Sequence, residues 1–440
     1  MANVIPVKTP AETALDEAYG GLRQVLPGEA GVRSLREDAI AKFRASGLPH
    51  RRVEDFKYTD LRALMRDANP VSTGPKGSPS ADGKAEDFLA GIDHVRLVIV
   101  DGAYSPSLSN VAELPAGLRV ASLAETLASA DATLIAELGA GAPDNAVLDL
   151  NTAFMSDGVV VTVDPGVAIA KPVAIETRHS AATAQATFTR SLVVLGSGAS
   201  LTLIDSYEGP EGVAHQTNAA LAVKVGDGAE LHRLSFQAQG LEAQHLSSLL
   251  ITLGKDARLQ SFALESGAAV SRNQLFLTYK GDNAKALLSG ATLLAGTRHA
   301  DTTLVVDHLA LGGESRELFN AVIDGEARSV FQGKIVVRHG AQKTDGRMMS
   351  RSLLLSETAE ANAKPELEIF ADDVQCAHGA TCGALDEDLL FYCKARGIPQ
   401  AEAEAILVQA FVGEAIETVE DEALREKLSA LTEAWLSRRV

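Results

Sequence analysis

The spacing of apolar residues along this chain changes twice. Between about Ala11 and Arg66, Ala14, Leu15, Ala18, Leu22 and Val25 recur at steps of three and four, and Leu35, Ile40 and Phe43 continue the series. That period predicts amphipathic helices, assigned here to an N-terminal helical domain over 1–69. Pro70-Val-Ser-Thr-Gly-Pro-Lys-Gly-Ser-Pro79 has a composition that cannot pack and predicts a flexible linker over 70–86. The run Val95-Arg-Leu-Val-Ile-Val100 before Asp101-Gly102 predicts a buried strand ending in a turn. Leu123 to Leu138 is again helical in pattern, so 87–157 is expected to be a mixed α/β lead-in.

From about Gly158 the period becomes two. Leu221, Val223 and Val225 alternate with Ala222 and Lys224, and Leu249, Ile251, Leu253 and Leu275, Leu277, Tyr279 behave alike. The turns between these runs share a Gly-x-(x)-Ala shape, at Gly166–Ala168, Gly196–Ala199, Gly226–Ala229, Gly254–Ala257 and Gly281–Ala284. Their alanines advance by 31, 30, 28 and 27 residues. Each interval holds two strands and two turns, the content of one rung of a parallel β-solenoid, whereas a sandwich has no reason to repeat a turn at that pitch. The solenoid core is placed over 158–383. Beyond it, Leu385, Leu389 and Cys393, then Ile406, Leu407, Phe411 and Ile416, then Leu424, Leu428, Leu431 and Trp435 predict a C-terminal helical domain over 384–440. Its apolar stripe could dock on its own solenoid or on a partner. The fold class is therefore mainly β, a solenoid flanked by N-terminal and C-terminal helical domains.

Charge and composition narrow the function. A net charge of −18 in 440 residues argues against nucleic acid or an anionic membrane as a partner. No uncharged apolar stretch of ~18 residues occurs, and Met1 to Pro10 has no basic segment leading into an apolar run, so neither a membrane span nor a secretory signal is expected. Three cysteines, an odd number, fit reduced thiols in the cytoplasm. All three lie between Cys376 and Cys393.

Enzyme signatures are missing: the chain contains no phosphate-loop motif, no H-E-x-x-H and no G-x-S-x-G. Gly226-Asp-Gly228 is half of a dinucleotide fingerprint and is better read as a solenoid turn. His232 and His245 sit on strand-like runs as surface or core residues, and Asp307-His308 cannot act together because strand neighbours face opposite ways. What remains is Cys376-Ala-His378. On an extended strand the two side chains share one face, ~6.6 Å apart, and a thiolate with an imidazole can contact one metal or cluster edge. Cys382, past an expected Gly-Ala turn, could approach them, and Cys393 is read as core. A zinc site from Cys376, His378 and Cys382 lacks a fourth ligand, and a plain turn with a buried cysteine is the bland reading. An iron–sulfur cluster normally needs four ligands, so any cluster held here would be shared with another subunit.

Several runs carry a resemblance: Gln342-Lys-Thr-Asp-Gly346, Ser352-Leu-Leu-Leu-Ser356, Lys364-Pro-Glu-Leu-Glu-Ile369 and Ala371-Asp-Asp-Val374 through Asp388, continued by Leu390-Phe-Tyr392 and Arg396-Gly-Ile398. Together they resemble the C-terminal signature of the SufB/SufD family of the SUF iron–sulfur cluster assembly machinery. Leu150-Asn-Thr-Ala-Phe154 with Asp157-Gly158 fits as well. Gly47-Leu-Pro49 and Val53-Glu-Asp-Phe-Lys-Tyr-Thr-Asp60 resemble the D-type version, and no cysteine precedes Cys376 where B-type chains carry one. The resemblance implies a right-handed parallel β-helix, a non-catalytic role, a heterodimer with SufB, and docking of the ABC-type ATPase SufC on the C-terminal helices. It further implies a histidine at the B–D interface at the position of His378, with Cys376 nearby, touching iron or a transient cluster that the isolated chain does not hold stably. Whether the chain pairs with itself when SufB is absent stays open at this point. The competing readings are a β-helix polysaccharide-active enzyme, disfavoured by the missing carboxylate cluster signal, and a stand-alone zinc-binding structural protein.

Overall fold

Alternating side chains build a two-sheet solenoid because each strand has one face that must leave water. The computed structural model describes residues 8–75, 88–129 and 131–438. The expected linker over 70–86 lies mostly outside them; its described start, Val71–Ser72, pairs in parallel with the strand Ala186–Leu195. The strands form two ten-stranded sheets, and from Val159–Val163 onward successive strands alternate from one sheet to the other. Between Val159–Val163 and Gln375–Gly383 every neighbouring pair within a sheet is parallel, in continuous register such as Leu231↔Leu259 and Leu249↔Leu275.

Three layers result. The lumen between the sheets is packed by Leu201, Leu231 and Leu259 from one sheet and Leu221, Val223, Leu249, Ile251 and Leu277 from the other. The outer face of the second sheet is covered by the helices Pro10–Leu22, Ala30–Ser46, Leu123–Ser129 and Ala146–Phe154, through contacts such as Phe154 on Phe188 and Leu148 beside Leu192. The outer face of the first sheet is covered by Gln400–Ile416 and Glu422–Arg438, whose Val408, Val412, Leu424 and Leu428 pack on Ile204, Leu234, Phe262 and Leu293. The C-terminal stripe thus docks on its own solenoid. Central strands are buried on both faces for this reason, which blurs the two-residue alternation there.

The repeated turns stack directly on one another. A β-carbon at Gly226 would lie 2.7 Å from the Leu195 carbonyl oxygen, and one at Gly281 2.0 Å from the Lys255 nitrogen, so the first turn position admits only glycine. Ala199, Ala229, Ala257 and Ala284 plug the corner beneath. Ala168 does not belong to that column. It pairs with Ser200, which puts Val167 opposite Ala199, and Ala168 itself is exposed. Two expected core positions of the N-terminal helices also face water: Val25 lies in the loop after the first helix at 71% exposure, and Leu35 is on the outer side of the second at 45%. Among the described residues no helix is long and apolar enough to cross a membrane.

Candidate functional site

The solenoid ends on two strands that are paired on one side only. Glu360–Ile369 pairs with Arg328–Val337, and Gln375–Gly383 pairs with Asp345–Leu354; among the described residues nothing pairs their far edges. Most of their residues are exposed or half-buried, where the rungs before them are largely buried. An unpaired edge of this length is a template for another chain.

Cys376 and His378 lie on the last strand, two residues apart and therefore on one face. Their register partners are Gly346 and Met348, and Met348 is buried in the lumenal core, so this face looks into the solenoid at its uncovered end. Cys376 is half-buried against that core. Burial, with added push from the Asp345 and Glu317 carboxylates, raises its thiol above the ordinary range, against a lowering hydrogen bond at Gly346. At neutral pH it is therefore a thiol, and binding a metal would release its proton. His378 is exposed.

The other two cysteines fall elsewhere than expected. Gln375–Gly383 is one continuous strand with no turn at Gly379-Ala380, so Cys382 stands ~13 Å beyond His378 and cannot join it. Cys393 is not core. The helix Glu387–Lys394 has no buried residue, and Cys393 is only half-buried. Among the described residues no three His, Cys, Asp or Glu side chains are placed to hold a metal ion.

One rung below Met348 the lumen holds Glu317, which the sequence reading passed over although its alternation and register point inward. Burial pushes its pKa up to about 8, against the lowering influence of the nearby Ser315 hydroxyl and Arg316 charge. His308, also buried, stacks on Tyr279 at 4.0 Å and approaches the Ser315 hydroxyl at 3.3 Å. Its neighbour Asp307 points outward to Arg338, as strand geometry requires. His245 is a core residue, and His232 is a partly exposed partner of Gln260 at 2.8 Å.

The Glu54–Asp60 run turns out to be a strap across the outer face of the second sheet. The Asp55 carbonyl accepts from Arg272 Nη2 at 2.8 Å and Gln332 Nε2 at 3.1 Å. The Arg272 guanidinium lies 4.0 Å from the Phe56 ring, a cation–π contact. The Thr59 hydroxyl donates to Asp301, which also forms a fully buried ion pair with Arg272. Glu54 reaches Lys364 on the penultimate strand at 2.5 Å.

Comparison with known proteins agrees with this architecture. A family model described as "SUF system FeS cluster assembly, SufBD core domain" matches residues 177–411, and one described as "SufBD protein N-terminal region" matches 27–175. An iron–sulfur cluster assembly SufBD family protein of Synechocystis is 31% identical over 95% of this chain and 95% of its own length. The iron–sulfur cluster assembly protein SufD of Escherichia coli is 31% identical over 89% of this chain and 90% of its own. A chloroplastic protein of Arabidopsis thaliana, ABCI7, is 25% identical over 90% of this chain and 84% of its own. The chain belongs to the SufBD family of iron–sulfur cluster assembly proteins. Within that family it is of the SufD type.

Proposed function

We propose that this chain is a cytoplasmic, non-catalytic subunit of an iron–sulfur assembly complex, pairing with SufB through the open end of its solenoid and engaging the SufC ATPase through residues 384–440. The observation that carries this reading is the pair of unpaired strand edges, the last of which bears Cys376 and His378 on one face. Strand edges bind strands, and a homologous solenoid offers a matching end. Two side chains are too few for a cluster, which is cargo here, so its remaining ligands would come from the partner. The docking surface for the ATPase is the helix Glu387–Lys394, where Leu389, Phe391 and Tyr392 are exposed, Phe391 at 73%. In the absence of SufB the same edges would support a homodimer.

The test is co-expression with candidate SufB and SufC and purification through this chain. A complex that assembles a cluster in the wild type, and intact but cluster-poor in His378→Ala, supports both the pairing and the site. Equal cluster content in the variant would reduce the chain to a structural partner. A chain that purifies alone under all conditions would sink the reading.

A further inference from the structure

Away from the solenoid's open end, the N-terminal helices form an open depression of about 440 Å³ lined by Tyr19, Arg23, Gln24, Arg33, Arg36 and Glu37. Three guanidiniums in one depression are unexpected in a chain carrying −18 overall. Arg36 is buried. Two of its nitrogens serve carbonyls, Nη1 that of Ala153 at 3.1 Å and Nη2 that of Pro27 at 2.8 Å, while its Nε has no partner. The Ala153 carbonyl belongs to the last turn of a helix, so part of the Arg36 charge answers that helix end. No carboxylate answers the rest.

Arg33 donates only to the Gly28 carbonyl, at 3.2 Å, and among the described residues neither it, Arg23 nor Arg36 forms an ion pair. On the neighbouring helix, Asp16 is engaged by Lys8 and Arg44 and Glu12 by Arg62. Behind the depression, buried Arg190 is held by Asn151 and Thr152 and is close enough to Arg36 for the two charges to repel. Burial lowers the Arg36 pKa to about 10, which leaves it charged at neutral pH. Glu37 supplies one negative charge against three positive ones.

The geometry points to an anion-binding site for a small phosphate-bearing ligand, with Arg23, Arg33 and Arg36 as its cationic contacts. A doubly charged anion would neutralise the depression where a single carboxylate would not. Planar guanidiniums match the paired oxygens of a phosphate, and the volume suits a molecule larger than one inorganic ion.

The test is calorimetric titration of the full chain with pyrophosphate, with acetate as a monoanion control and ionic strength held constant. Saturable binding of one pyrophosphate per chain is expected, weakened at least about tenfold in Arg23→Ala/Arg33→Ala. Both residues are exposed, so an unchanged thermal midpoint without ligand would show that the fold is kept. No saturable binding in the wild type, undiminished binding in the double variant, or equal binding of acetate would overturn the proposal.

Discussion

The two ends of the solenoid are built from the same repeat and finish in opposite ways. At the first end, the strand Val95–Val100 is closed by the short antiparallel strand Ala103–Tyr104, and Val159–Val163 by the antiparallel strand Leu118–Ser122. The lumenal residues there, including Leu97, Ile99, Val159 and Val161, are fully buried. At the other end no reversed strand follows, and Ile369 and Phe370 stand exposed beside two free edges. A parallel solenoid cannot cap itself by continuing; it needs a change of strand direction, a covering helix or another chain. The first end has the change of strand direction; among the described residues, no reversed strand pairs with the other. The strap over 54–60 supports the open end sideways, through Lys364, without covering it.

Three experiments probe this contrast, beginning with the strap. Asp301→Ala leaves the Arg272 guanidinium buried without its carboxylate, and a loss of ~3–5 kcal/mol in denaturant unfolding of the isolated chain is expected. A loss below ~1 kcal/mol would mean that the strap contributes little to holding the rungs. The direct comparison of ends sets Leu97→Ala against Phe370→Ala. The first opens a cavity in the capped end and should cost ~2–5 kcal/mol. The second trims a side chain that is 56% exposed and should change stability by no more than ~0.5 kcal/mol, while weakening recovery of a partner chain. Similar costs at both positions would show that the open end is covered in the isolated chain.

The third experiment is read as a pH dependence. Glu317 has its pKa raised from 4.5 to about 8 in the fold, so between those values the folded chain holds a proton that the unfolded chain has lost. Its contribution to stability therefore falls as pH rises through that window, by up to ~1.4 kcal/mol per unit. Glu317→Gln does not titrate. The variant should gain stability relative to wild type between pH 6 and 8, and a constant difference would place the carboxylate in contact with water.

Much of the scaffold was legible in the residues because it rests on local rules. Two-residue alternation marks strands wherever one face is buried, and glycine recurs where stacked turns leave no room for a β-carbon. Register was less secure: the first turn, Gly166-Val-Ala168, is one residue shorter between its glycine and alanine than the others, and the pairing of Ala168 with Ser200 shifts it by one residue. The candidate site was half legible. Cys376 and His378 share a face as their spacing requires, but the turn expected at Gly379-Ala380 is strand, because pairing with Ser350 and its neighbours extends the backbone through the glycine.

By itself, then, the sequence determined the strand period, the helical ends and the strand carrying the paired thiol and imidazole, since each depends on neighbours a few residues apart. Only the tertiary structure decided which end of the solenoid is closed, that Glu54 to Thr59 clamp Arg272 and Asp301, and that Arg23, Arg33 and Arg36 share a depression. Those features join side chains up to hundreds of positions apart. Their energies arise from burial and charge compensation, which no local pattern encodes.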